Sequence, residues 1–227
     1  MGEIISVRWI GKIDYYEAWS LQKELAEERL AGKTPDTLLL LEHPPTFTLG
    51  RSAKKEHLLS SVEDLEREGF AVVETDRGGD VTYHGEGQLV GYPIVNLREA
   101  PHHADMHRYL RDIEETLIRT LGKLGVVGER FPGYTGVWVD RATPNPRKIA
   151  ALGVKASRWI TLHGFALNVC PNLEHFTRIT PCGIQDYGVT SLELVTGRAW
   201  SVEAILPTVA ESFQEAFGYT SFEWNVS

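Results

Sequence analysis

Only two cysteines, Cys170 and Cys182, occur in 227 residues. That is too few for a disulfide framework or a four-cysteine zinc site. Long apolar runs are missing as well: stretches such as Thr37 to Leu41 fall far short of the roughly 20 residues a membrane span needs. Positive charge is in deficit, with 23 Lys and Arg against 31 Asp and Glu and a formal net charge of -8. A protein that coats nucleic acid through its overall field is thereby excluded, and only a local basic patch is left open. The start Met1-Gly2-Glu3-Ile4 has neither a basic nor an apolar leader region, so no secretory signal is expected. Repeats, low-complexity tracts and long linkers are absent. What is there is a hydrophobic content of 42%, enough to bury a core without metal or disulfide staples. The expectation is a cytoplasmic protein with one domain over 1–227.

Four segments have helical periodicity. Asp14 can cap a helix running to about Leu30, and Ser61 opens a short one that closes at Gly69. Met106, Tyr109, Leu110, Ile113, Leu117, Leu121 and Leu124 recur in steps of three and four, giving one apolar stripe from about Asp105 to Lys123. Ile205, Val209, Phe213 and Phe217 form another stripe, stopped by Gly218. Pro207 requires that helix to begin after Ser201 or to bend. Strands are expected at Ile4 to Ile10, Thr37 to Glu42, Ala71 to Thr75, Gly136 to Asp140, Ile149 to Val154 and Trp159 to Val169. Several follow one another with no helix between, which favours a mixed, largely antiparallel sheet with flanking helices, an α+β fold, over a doubly wound one.

Chemistry concentrates in a few places. Arg77-Gly78-Gly79-Asp80-Val81-Thr82-Tyr83-His84-Gly85-Glu86-Gly87-Gln88 packs four glycines among polar side chains after a strand. It has neither the P-loop nor the Rossmann spacing, and its composition suits a ligand-cradling loop or a glycine-rich hairpin equally. Cys182 stands in Thr180-Pro181-Cys182-Gly183-Ile184, a turn that would expose a thiol among free N–H groups. Cys170 reads as a small buried hydrophobe. A reactive Cys182 needs a partner to make its thiolate. His84 and His163 are candidates, and so is Lys148. Lys148 enters an apolar strand, whereas Lys155, seven residues on and near Arg158, reads as a solvated surface charge on the opposite face. Spacing does not choose between His and Lys. His102, His103 and His107 contain a zincin-like step of four without its glutamate, so no metal is expected. No Gly-x-Ser-x-Gly elbow marks a serine hydrolase.

Taken together, four ordered blocks resemble the lipoyl(octanoyl) transferase family: Arg77 to His84 continuing through Gly87-Gln88-Leu89-Val90-Gly91-Tyr92-Pro93, then Arg147 to Val154, then His163 to Val169, then Pro181-Cys182-Gly183-Ile184. The resemblance spans about Leu39 to Leu194. It implies the fold of the biotin and lipoate ligase catalytic domains. It also implies transfer of an octanoyl group from acyl carrier protein to a lysine of the lipoyl domains of 2-oxoacid dehydrogenases and of the glycine cleavage H protein. By the same resemblance Cys182 carries the acyl thioester and Lys148 is its partner. Arg77, Gly78, Gly79, Asp80, Val81, Thr82, Tyr83, His84, Ala151, Leu152, Gly153, Gly164, Phe165 and Ala166 would line the acyl tunnel. No cofactor is implied, since exchanging one thioester for another keeps the acyl group activated without ATP. An acidic carrier requires a local basic face, for which Arg141, Arg147, Lys155 and Arg158 are candidates. The helix stripes leave no further apolar patch, so a monomer is expected. The competing enzyme reading is an ATP-dependent lipoate- or biotin-type protein ligase on the same fold, and the competing non-enzyme reading is an acyl-carrier-binding scaffold.

Overall fold

A computed structural model describes residues 4–180 and 187–225. The backbone of the described residues is organised by two sheets. The larger takes its strands in the order β12 (Ser221–Trp224), β1 (Ile4–Lys12), β2 (Thr37–Glu42), β6 (Gln88–Ile94), β10 (Ile160–Asn168), β9 (Arg147–Ser157), β8 (Tyr134–Val139) and β7 (Glu129–Phe131). A two-residue strand, β11 (Gly188–Val189), joins β9 at Arg147 and Lys148. Pairing is parallel for β12 with β1, β1 with β2 and β11 with β9, and antiparallel from β2 across to β7. The mixed, largely antiparallel α+β expectation therefore holds. The smaller sheet, β4 (Ala71–Glu74), β3 (Thr46–Leu49) and β5 (Val81–His84), stands beside it.

Helices cover the larger sheet unequally. Asp14 accepts from the backbone N–H groups of Tyr16 and Glu17 and starts α1 (Tyr15–Leu30), which packs on β6 and β10. The short α2 (Val62–Arg67), capped by Ser61, lies against the smaller sheet through Leu65. On the opposite face from α1, α3 (Met106–Lys123) and α5 (Val202–Phe217) pack against each other and close the main core. The periodic stripe explains this: Ile113, Leu117 and Leu121 are fully buried, and trimming one such side chain to Ala costs about 3 kcal/mol. A one-turn α4 (Leu192–Thr196) follows β11. Ser201 caps α5 through Ala204 N–H, so that helix begins at Val202 and carries Pro207 inside it. The proline ring removes one helical hydrogen bond, the one Glu203 C=O would accept, and Glu203 is exposed where water can replace it.

One open alternative is decided and one histidine is placed. The glycine-rich segment is no hairpin, because β5 and β6, on either side of its Gly85–Gly87 turn, belong to different sheets. His102, a candidate in the histidine cluster, is buried and committed elsewhere: its Nε2 donates to Tyr219 Oη at 2.7 Å and lies 3.2 Å from Asp36 Oδ2.

Candidate active site

Beyond the end of β8, β9 continues with one edge open, and the glycine-rich loop docks there: Gly78 N–H donates to Val154 C=O at 2.9 Å. In register, Gly153 of β9 faces Gly164 of β10. A side chain is excluded at both. A Cβ on Gly153 would lie 2.8 Å from Gly78 O, and one on Gly164 would lie 2.1 Å from Gly91 O. Bare backbone thus lets loop and strands converge, and the space left between them is a cavity of about 560 Å3, within the usual range for small-molecule sites.

Most of the expected tunnel residues meet at this cavity: Arg77, Gly78, Gly79, Asp80, Val81, Thr82 and His84 from the loop and β5, Ala151, Leu152 and Gly153 from β9, and Gly164, Phe165 and Ala166 from β10. Tyr83 is not among the lining residues. Strand alternation turns it away from Thr82 and His84, into the smaller sheet's core beside Phe47 and Phe70, where its hydroxyl accepts from His175 Nδ1 at 2.7 Å. Tyr15, Gln88, Tyr92 and Asn168 also line the cavity and were not singled out from the sequence. Gln88, Tyr92 and Asn168 lie within the motif blocks, so a signal was present for them; Tyr15 had none beyond its place after a cap.

Arg77 acts as a clip. Its guanidinium donates to Thr48 Oγ1, Thr48 C=O, Asp80 C=O and Gly78 C=O at 2.7 to 3.2 Å, fastening the loop to β3 by charge-assisted bonds. The bonds continue in one direction. Thr48 Oγ1 donates to His84 Nε2 (3.4 Å), His84 Nδ1 to Gln88 Oε1 (2.8 Å), Gln88 Nε2 to Asn168 Oδ1 (2.9 Å) and Asn168 Nδ2 to Thr190 C=O (3.0 Å). Thr190 N–H then reaches Lys148 C=O at 2.9 Å. This chain requires neutral His84, and burial does push its pKa well below the ordinary histidine value, with His43 and Arg77 adding repulsion. His84 is thus a structural link within the network and no reservoir for a proton.

The other histidines around the cavity are also held neutral. Burial lowers His43 to about 4; its Nδ1 donates to Ile13 C=O and its Nε2 accepts from Tyr92 Oη, both at 2.8 Å. His163 is lowered too, because burial outweighs the Asp76 carboxylate 2.8 Å from its Nε2. Burial likewise raises the Tyr15 phenol to about 12. Lys155 departs from its expected role as a solvated surface charge: it is partly buried and bonded to Asp76 at 2.6 Å.

Lys148 occupies a different environment. It pairs across strands with Trp138, and its Nζ stands 4.8 Å from the centre of the indole ring. Phe131, Tyr134, Trp138 and Tyr187 form one aromatic cluster with ring centres 5.1 to 5.9 Å apart. Lys148 lines the main cavity and also a second one of about 400 Å3, whose walls include Trp138, Phe176, Ile179, Thr180, Tyr187 and Val189. Cys182, with Pro181, Gly183 and Ile184, lies outside the described residues; Thr180 and Tyr187, the described residues that bracket it in the chain, both face this second cavity. Cys170 is half-buried, and burial followed by Glu193, Glu42 and Glu203 pushes its thiol pKa up, which suits a packing role.

The four residues expected to make a basic face do not make one. Arg147 opens β9 and Lys155 lies eight residues along it, about 26 Å away. Each also has an acidic partner: Glu129 for Arg141, Asp140 for Arg147, Asp76 for Lys155 and Glu27 for Arg158. Among the described residues no helix is long and apolar enough to cross a membrane.

Comparison with known proteins agrees with this architecture. Residues 14–214 match the family described as lipoyl protein ligase A/B catalytic domain. An octanoyltransferase of Rubrobacter xylanophilus is 51% identical over 210 residues, 92% of this chain and 91% of that protein. One of Chloroflexus aurantiacus is 48% identical over 214 residues, 94% of each. Among solved structures, a bipartite lipoate protein ligase of Thermoplasma acidophilum superposes with a TM-score of 0.74 at 14% identity, covering 100% of this chain and 87% of that one. The biotin protein ligase of Aquifex aeolicus with biotin and ATP gives 0.55 at 16%, covering 94% and 70%. At such identities the structures speak to the fold, and the sequence matches speak to the family. The chain belongs to the octanoyltransferase family of acyltransferases, built on the catalytic domain of lipoyl protein ligases A and B.

Proposed function

We propose that this enzyme moves an octanoyl group from acyl carrier protein to a lysine of lipoyl domains through a thioester on Cys182, with Lys148 as its partner and the glycine-lined cavity holding the acyl chain. The observation that carries the reading is the placement of Lys148 at the junction of the two cavities, one walled by Gly78, Gly153 and Gly164, the other by Thr180 and Tyr187 on either side of Cys182 in the chain.

The proton and the bonds balance through Lys148. As an ammonium it stabilises the Cys182 thiolate, whose Sγ attacks the donor's thioester carbonyl. A new C–S bond forms, the old one breaks, and Lys148 protonates the departing carrier thiolate. Now neutral, Lys148 accepts the proton that the acceptor amine sheds as it forms the amide and displaces the Cys182 thiolate. The cycle ends with the ammonium–thiolate pair restored. The first exchange is nearly neutral in energy and the second is downhill, so no nucleotide enters. Neutral, buried His84 and His163 leave Lys148 as the group at the junction suited to both proton transfers.

The competing ligase reading requires activation of a free acid by ATP. Identities of 48 to 51% to octanoyltransferases, against 14% to a solved lipoate ligase, favour the transferase. Incubation with a lipoyl domain separates them. Octanoyl carrier protein alone should modify the domain, whereas octanoate with ATP should not; the reverse pattern would overturn the proposal. A cytoplasmic, monomeric enzyme is part of this reading.

A further inference from the structure

Residues 50–60 form a strap between the glycine-rich loop and the chain that leads to Cys182. At one end, Gly50, Arg51 and Ser52 N–H donate to the carbonyls of Asp80, Arg77 and Gly79 at 3.3, 3.0 and 3.0 Å. At the other, Thr180 N–H donates to His57 C=O and Leu59 N–H to Arg178 C=O, both at 2.9 Å, with Leu58 bridging antiparallel to Ile179. A side-chain contact also ties the strap to the glycine-rich loop: His57 Nδ1 donates to Asp80 Oδ2 at 2.5 Å. Asp80 Oδ1 accepts from Val81 N–H at 2.7 Å, so both its oxygens are engaged. His57 and Asp80 are largely buried, with side chains 15% and 7% exposed. The same residue, His57, therefore holds Asp80, which lines the main cavity, through its ring, and Thr180, which lines the second, through its carbonyl.

We propose that the His57–Asp80 pair is a positioning latch that couples what occupies the acyl cavity to the reactivity of Cys182, two residues beyond Thr180. An occupant pressing on Gly78 to Thr82 moves Asp80, and His57 carries that displacement through its carbonyl to Thr180. The inference rests on the reading of Cys182 as the nucleophile, and its test uses a readout that does not require acyl transfer.

That test is alkylation of Cys182 by iodoacetamide in the full chain, followed by peptide mass spectrometry with and without saturating octanoate, with Cys170 as the internal control. Octanoate should change the wild-type Cys182 rate by about fivefold or more, the lower end of ordinary allosteric coupling, and leave Cys170 unchanged. His57→Ala should erase the octanoate response. His57→Asn should restore it, because the Asn amide nitrogen takes the place of Nδ1 as donor. A purely stabilising contact would instead lower the melting temperature of His57→Ala and keep its octanoate response, which would overturn the latch, as would a wild-type rate indifferent to octanoate. Should His57→Ala fail to fold, Asp80→Asn decides: it keeps the acceptor for Val81 N–H and weakens only the bond to His57, so a reduced octanoate response supports the latch and a full one refutes it. Absence of octanoyl-Cys182 in the wild type would count against the proposed function, while the alkylation comparison would still judge the latch.

Discussion

Lys148 Nζ lies 4.8 Å from the centre of the Trp138 ring because the two residues are opposed across β9 and β8. The indole face attracts an ammonium placed over it, a contact worth about 0.5 to 2 kcal/mol. Trp138→Phe keeps a ring with a weaker face and should slow octanoyl transfer about threefold to tenfold. Lys148→Ala should slow it far more, and Lys148→Arg should recover little, since a guanidinium supplies charge but does not give up a proton. Single-turnover rates check both; strong recovery by arginine would remove the proton-transfer role.

Arg77 and Thr48 are 29 residues apart in sequence and share two side-chain bonds. Loss of the guanidinium removes a charge-assisted donor from the buried carbonyls of Thr48 and Asp80, and leaves Asp80 C=O with only the longer bond from Gly50 N–H at 3.3 Å. Arg77→Met should cost about 3 kcal/mol in urea unfolding, and Arg77→Lys nearly as much because an ammonium does not reproduce the fork. A change below about 0.5 kcal/mol would contradict the clip.

Acidification below about pH 6.5 should destabilise the protein through its buried histidines. His43 binds its proton at about 4 in the folded state and 6.5 unfolded, so between those values the unfolded chain holds more protons. Its contribution is fully present above pH 6.5 and is lost as pH falls to about 4, an amount of about 3 kcal/mol. His84 and His163, lowered for the same reason, add in the same direction. Unfolding free energies measured across this window should fall with pH, and His43→Gln should flatten the slope. A flat wild-type profile would rule the burial argument out.

Gly153→Ala tests the convergence of loop and strand. Its methyl would meet Gly78 O at 2.8 Å and Arg77 Cδ at 3.1 Å, so the loop must shift outward. Transfer of octanoyl should drop about tenfold, by roughly 1.4 kcal/mol, with a smaller loss of stability. Steady-state kinetics beside a melting curve separate the two, and an unchanged rate would mean the loop does not define the cavity.

Local signals were legible where one segment decides its own fate. The α3 stripe, the Asp14 and Ser61 caps and the strands Thr37–Glu42 and Ile160–Asn168 could be read directly, because burial of one face fixes the helix periodicity and burial on both faces makes the strands rich in apolar residues. In the smaller sheet only Ala71–Glu74 was legible; its centre was not, since Thr46–Leu49 is four residues long beside Pro44 and Pro45 and is made a strand by partners at Ala71–Glu74 and Val81–His84. The same holds for Gly188–Val189 and Ser221–Trp224, which are too short to carry a pattern. At the site, the motif blocks named most of the cavity wall, but Thr48, His57 and Tyr15 act only through distant partners, which no local spacing encodes. The basic face failed for a related reason: charge in a sequence says nothing about the Asp140, Asp76 and Glu27 that chain folding brings to Arg147, Lys155 and Arg158.

Intact-mass measurement after mixing with octanoyl carrier protein, without acceptor, tests the central claim most directly. The account predicts a gain of one octanoyl group that is lost in Cys182→Ala and kept in Cys170→Ala. An adduct that survives Cys182→Ala, or a wild type that transfers octanoyl to a lipoyl domain without ever carrying it, would contradict the account.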